Sequence, residues 1–195
     1  MLKLVAALLI FGAIVSQFWT GREIRHPPGV IAPRDPVQHD LRNAQQISKD
    51  GYMLTPLARF EVEARVLGAE RYRMGRESDL SPVDLALGWG AMSSQPILDE
   101  INISQRNRFY FWNTREFPIP RRAIEIHSAN MHLIPASDEI DRTLRSVRKG
   151  HVVRFEGYLV RVEASDGWNW QSSLTRNDTG AGACEIVYVE QVSFL

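Results

Sequence analysis

Two histidines, two tryptophans and a run of hydroxyl side chains are the residues whose types and spacing could do chemistry here. His127, Asn130 and His132 fall together in the stretch HSANMHLIP. Two imidazoles could share a metal ion if the chain curled between them, with a third ligand from His151 or Asp178. Five residues apart is no standard metal spacing, however, and an odd spacing on a strand sends the two rings to opposite faces. The commoner use of such histidines is to hydrogen-bond loop backbone. Trp168 and Trp170 are two apart and share a face of any extended segment. Aromatic platforms of this kind stack on bases or sugars, worth about 1–3 kcal/mol per base. The competing use of the same rings is to plug the end of a barrel. Gln171, Ser172, Ser173 and Thr175 follow as polar contacts. Ser173 has no histidine or acid at a spacing that implies a nucleophilic triad, although triad members can lie far apart in sequence.

Asp178-Thr179-Gly180-Ala181 resembles the motif around the catalytic aspartate of aspartic proteases. The resemblance covers four residues and implies acid–base hydrolysis by Asp178. Those enzymes use two such aspartates sharing a proton, so one copy per chain would require a homodimer. The departure lies upstream, where Thr175-Arg176-Asn177 is polar and the family has an apolar strand. The same residues also read as a glycine-rich turn, with Asn177 and Asp178 bonding their own backbone. Arg176 beside the glycines would suit an anion held by successive amides. No lysine follows at phosphate-loop spacing. The candidate binding set is Trp168, Trp170, Ser173, Arg176, Asp178 and His132. Asp178 is the one catalytic candidate, His127 and His132 are the metal candidates, and no cofactor motif is present. Cys184, the single cysteine, permits no disulfide within the chain and reads as a small buried core residue.

The elements that must position these groups are mostly strands. Ala58 to Leu67 alternates cleanly, with Ala58, Phe60, Val62, Ala64 and Val66 on one face and charges on the other. Ser81-Pro82-Val83-Asp84 has the form of a helix start and predicts a helix to about Gly88. A second helix is expected from Ser94-Gln95-Pro96. Arg108–Trp112 and Ala123–His127 read as strands, and 128–135 as extended or irregular. Ser137 caps a helix carrying Ile140, Leu144 and Val147, with Gly150 past its end. Val152–Val162 is a strand whose parity slips near Gly157, the mark of a bulge. The last strand places Cys184, Ile186, Tyr188, Val192 and Phe194 on one face. The fold class expected is α+β, a small antiparallel β-barrel with OB-like strand order, β-αα-β-β-α-β-β.

Lysine plus arginine equals aspartate plus glutamate at 23 each, so the net charge is zero. That balance argues against a dedicated nucleic-acid binder, which carries a basic excess. Leu4 to Trp19 is apolar apart from Ser16, Gln17 and the final Trp19, and is flanked by Lys3 and Arg22. This predicts a signal anchor or transmembrane helix over 1–21. Four prolines between His26 and Pro36 suggest a stiff spacer; with a polar lead-in that could form a short helix, it fills 22–50. The OB-like domain takes 51–195. By analogy with short N-terminal anchors, the body lies outside the cytoplasm. The expected function is a membrane-anchored, extracytoplasmic and non-enzymatic protein that binds a protein or extended polymer through the 168–182 loop. The alternative is an envelope hydrolase using Asp178 or a His127/His132 metal site.

Overall fold

The computed structural model describes residues 22–175 and 184–195. The fold is mostly β-sheet with a few short helices. Its strands are β1 (Val37–Asp40), β2 (Ile47–Lys49), β3 (Tyr52–Arg71), β4 (Val83–Gly88), β5 (Asn102–Arg106), β6 (Phe109–Asn113), β7 (Ser128–Pro135), β8 (Val152–Glu163), β9 (Asn169–Gln171) and β10 (Glu185–Phe194). The helices are α1 (Arg76–Leu80), α2 (Gln95–Asp99), α3 (Arg121–Ile126) and α4 (Asp138–Ser146).

Eight strands form one mixed sheet, and β5 with β6 forms a separate hairpin. In the large sheet β3 pairs β4, β4 pairs β7, β7 pairs β10, β10 pairs β8, and β8 returns to β3. Five strands therefore close a ring. The β7–β10 pairing is parallel and the other four are antiparallel, which corrects the wholly antiparallel sheet expected from sequence.

The long strand β3 makes the ring possible. Its alternating residues Ala58, Phe60, Val62, Ala64 and Val66 all face the main core, as their period of two requires. Two irregularities, between Pro56 and Ala58 and between Val66 and Gly68, bend it so that it reaches both β8 and β4. Opposite the first, Leu159 and Val160 of β8 are consecutive and both fully buried. Leu159 joins the main core and Val160 a second cluster with Leu54, Leu80, Ile134, Val162 and Ile186. One irregularity along β8 sits at Leu159/Val160, where the extra residue, Leu57, belongs to β3; a second lies at Glu156/Gly157, near the expected bulge, where the extra residue, Glu190, belongs to β10.

The main core is closed by α4. The Ser137 hydroxyl accepts from the Ile140 N–H, capping the helix as expected, and Ile140, Leu144 and Val147 pack into the ring. On the other side of β4 a third cluster joins Leu67, Ala86, Met92, Ile101 and Ile124 to residues from the segment between β4 and β7.

Several expected elements change type. Val83–Gly88 is a strand, because Val83, Leu85 and Leu87 enter the main core while Asp84 and Ala86 are buried on the reverse face. Burial on both faces removes the polar alternation that marks a strand in sequence. Residues 121–126 form a helix behind Pro120, with an Arg121–Glu125 ion pair across one turn. The residues 128–135 are a ring strand, while Phe109–Asn113 belongs to the hairpin outside the ring. The polar lead-in forms β1 and β2 against β3 rather than a helix. In β10 it is Val187 and Val189 that face the main core, whereas Ile186 and Tyr188 face the second cluster.

The proline-rich stretch is bonded to the body. Ile24 N–H donates to the Lys149 carbonyl, the amides of Ile31 and Ala32 to the Ser93 hydroxyl, and Gly90 N–H to the Ala32 carbonyl. No helix among the described residues is long and apolar enough to cross a membrane; Leu4–Trp19 lies outside them.

The closest backbone approach in the ring predicts a sensitive position. A Cβ at Gly157 would meet the Tyr188 carbonyl oxygen at 1.8 Å. Gly157→Ala is expected to destabilise the protein by about 1–3 kcal/mol or more, read as a lower midpoint in urea. An unchanged midpoint would contradict this packing of β8 on β10.

Candidate functional site

Because Val83, Leu85 and Leu87 point into the ring, Asp84 must point out of it. The next strand, β7, pairs Asp84 with His132 in register, and Ala86 with Asn130. This outer face is then covered by the β5–β6 hairpin. The hairpin turns through Asn107 and Arg108, both in the left-handed region at φ 52° and 69°, which fits a two-residue turn. The turn delivers Arg108 onto Asp84.

The resulting cluster is buried and charged. Arg108 Nη1 donates to Asp84 Oδ1 at 2.8 Å and to the Ser81 carbonyl at 2.8 Å. His132 Nδ1 lies 2.9 Å from Asp84 Oδ2, and the Asp84 side chain is wholly inaccessible. The Arg108 guanidinium stacks 3.9 Å from the Tyr72 ring centroid, and the Arg108 backbone N–H donates to the Tyr72 hydroxyl. Burial pushes the Tyr72 hydroxyl pKa up, so it stays a neutral acceptor. Gln105 Nε2 donates to Asn130 Oδ1, and Asn130 Nδ2 to the Arg108 carbonyl. The Trp170 ring lies 4.8 Å from the His132 ring and covers it. An Asp–His hydrogen bond through Nδ1 would be the orienting half of a general base, but Asp84 Oδ2 and His132 Nδ1 lie close without making one. Here no hydroxyl or thiol among the described residues is hydrogen-bonded to His132, and Arg108 takes the other oxygen of the carboxylate. The cluster clamps the hairpin to the ring.

The sequence candidates are distributed as follows. Trp168 and Trp170 do share a face, with ring centroids 6.2 Å apart, and both pack on the second cluster. Trp168 meets Tyr52 edge-on, and the Arg76 guanidinium lies 4.8 Å above it. Arg76 also grips Asp166 through two nitrogens, which holds that carboxyl down to about 2. Ser173 is buried; its hydroxyl accepts from the Thr175 N–H. His127, at the C-terminal end of α3, contacts the Ala123 carbonyl of that helix through Nδ1 at 2.9 Å, a helix-end role in place of the loop-backbone bond expected. No group of three or more histidine, cysteine, aspartate or glutamate side chains suited to a metal ion occurs among the described residues. Arg176 and Asp178 lie outside the described residues.

A cavity lies elsewhere among the described residues, and sequence reasoning missed it. It measures about 570 Å³ and runs along β6, from Phe109 to Thr114. Its other walls come from α3 (Arg121, Glu125), β7 (Ser128–Asn130), Thr175 within the 168–182 loop, and Cys184 and Glu185 after it. Phe109, Phe111 and Phe117 are 40%, 46% and 56% exposed. Tyr110 turns inward, where its hydroxyl and the Ser128 hydroxyl are 2.8 Å apart and burial raises its pKa. Cys184 is half-buried and lines this cavity, which corrects its reading as a core residue. The signal for the site was Asn107-Arg108 between two alternating five-residue runs, one of them with two aromatics on its solvent face. A cavity of this size, with an aromatic wall facing polar and charged side chains, has the form of a ligand site.

No protein-family model matches this chain, and no curated protein matches it.

Asp84→Asn removes the charge that compensates Arg108 in a dry setting. The expected cost is about 3–5 kcal/mol, as for other buried pairs broken on one side, measured by urea unfolding. A loss below about 1 kcal/mol would mean that Arg108 finds water.

Proposed function

We propose that the protein is a non-enzymatic binding protein whose body is a small OB-like barrel and whose site is the aromatic cavity beside β6. The ring order supports the OB-like reading. In chain order β3, β4 and β7 form a meander, α4 follows, and β10 inserts between β7 and β8. Five strands with a helix between the third and fourth match that architecture. On this reading the loop between the fourth and fifth strands is 164–184, and Thr175 and Cys184, on either side of its middle, line the cavity.

The observation that carries the proposal is the open cavity bordered by exposed Phe109, Phe111 and Phe117. Exposed aromatics around a recess favour a partner that supplies apolar groups, and aromatic residues are enriched where proteins bind one another. The ligand is a protein or an extended polymer; zero net charge speaks against nucleic acid. Trp168 and Trp170 support the wall through their packing on Tyr52 and His132. The apolar run Leu4–Trp19 supports a membrane anchor, with the body held outside the cytoplasm.

The double variant Phe109→Ala/Phe111→Ala is expected to reduce recovery of partners from solubilised source membranes at least about tenfold. Its melting temperature should stay within a few degrees of the parent, because both side chains are exposed. Trp170→Ala, by contrast, should lower the melting temperature. Undiminished recovery by the Phe109/Phe111 variant would remove the cavity from the function. Separately, deletion of residues 2–21 is expected to shift the protein from the membrane pellet to the soluble fraction. Retention in the pellet after alkaline washing would refute the anchor.

A further inference from the structure

The hairpin has a free edge, and the cavity lies along it. β6 pairs only with β5 among the described residues. With a two-residue turn at Asn107–Arg108, the pair Arg106↔Phe109 exchanges both main-chain hydrogen bonds, as do Ser104↔Phe111 and Asn102↔Asn113. The intervening residues Tyr110 and Trp112 therefore aim their N–H and C=O groups away from β5. Every residue of β6 lines the cavity and no residue of β5 does, so the cavity is on the side to which those groups point. A donor and an acceptor on each of two residues, spaced two apart, make a template for one more strand.

We propose that the occupant of this cavity is an extended peptide segment of a partner protein, which adds to β6 as a third strand. This rests on the cavity reading above and names the class of ligand. Main-chain hydrogen bonds would supply affinity, and alternate side chains would supply choice. Residues of the peptide on the solvent face lie beside Phe109 and Phe111, which calls for apolar or β-branched side chains there. Those on the reverse face meet Ser128 and Asn130 and call for small or polar ones. Charge selects further. From Arg106 to Ile126 the chain carries five arginines and two glutamates, and Asp84 neutralises only Arg108. Arg121 on the cavity wall is ion-paired with Glu125, whereas Arg106, over the Phe111 ring, makes no ion pair among the described residues. The peptide fitting this rim has an acidic residue at one end.

The test uses full-length protein in lipid nanodiscs and the peptide acetyl-Asp-Phe-Thr-Val-Thr-Val-amide. Its control is the same peptide N-methylated at alternate residues, which cannot donate to the edge. The expected result is at least about tenfold slower hydrogen exchange at the Tyr110 and Trp112 amides, with the N-methylated peptide binding at least about tenfold more weakly. Unchanged exchange at those two amides at about 1 mM peptide overturns strand addition, as does equal binding of the two peptides. Free indole serves as a second probe, read by the side-chain resonances of Trp112. If indole enters and the peptide does not pair, strand addition falls while the cavity remains a binding site. If neither probe binds, both readings fall.

Discussion

Asp84 has no access to solvent, and a carboxylate removed from water needs charge or hydrogen bonds from the protein around it. It finds charge in Arg108, presented by the turn of a hairpin, and His132 of the neighbouring strand lies 2.9 Å from its second oxygen. Neither of these two groups is local in sequence. The pairing holds only if β4 and β7 are in register and the hairpin folds back across both. One buried acid thus couples the ring to the segment inserted between its second and third strands.

That coupling determines where a ligand can go. The outer face of β4 and β7 would be an open groove on a bare ring. Here Gln105, Arg108, Tyr110 and Trp170 fill it, making hydrogen bonds or ring contacts with Ser128, Asn130, His132 and Asp84. What remains accessible is the margin of the covering hairpin, where β6 has no second neighbour among the described residues and Phe109 and Phe111 stay exposed. The chain gives its own segment to the groove and leaves an edge strand beside it. Trp168 and Trp170, conspicuous in sequence, belong to the structure that walls this region.

The parts legible in sequence were those with one buried face. β3 alternates because its other face carries charges, and α4 shows its cap, its apolar stripe and its terminating glycine at once. Val83–Gly88 misled for the opposite reason. Its two faces are both buried, and its opening Ser-Pro-Val-Asp suits a helix start as well as it suits a strand entry. Ala123–His127 shows two isoleucines two apart, yet Pro120 and the Arg121–Glu125 pair favour a helical turn. The expected count of five strands with a helix after the third agrees with the ring, but two of the expected strands lie outside it and the main helical insertion falls between its second and third strands, not its first and second. The β10 face was misread because both of its faces are apolar, and a bulge between Val189 and Gln191 turns Val192 to the main core, away from Ile186 and Tyr188.

By itself the sequence determined that this chain is a balanced-charge, strand-rich protein with an apolar N-terminal run, a long alternating strand and one well-capped helix. Those features follow from local periodicity and local hydrogen bonding, which neighbouring residues are enough to specify. Tertiary structure alone decided that the strands close on themselves, that Asp84, Arg108 and His132 meet, and that a cavity opens beside β6. Each of these depends on contacts between residues more than twenty positions apart. Such contacts are fixed by the bends in β3 and by burial of charge, and neither leaves a periodic trace along the chain.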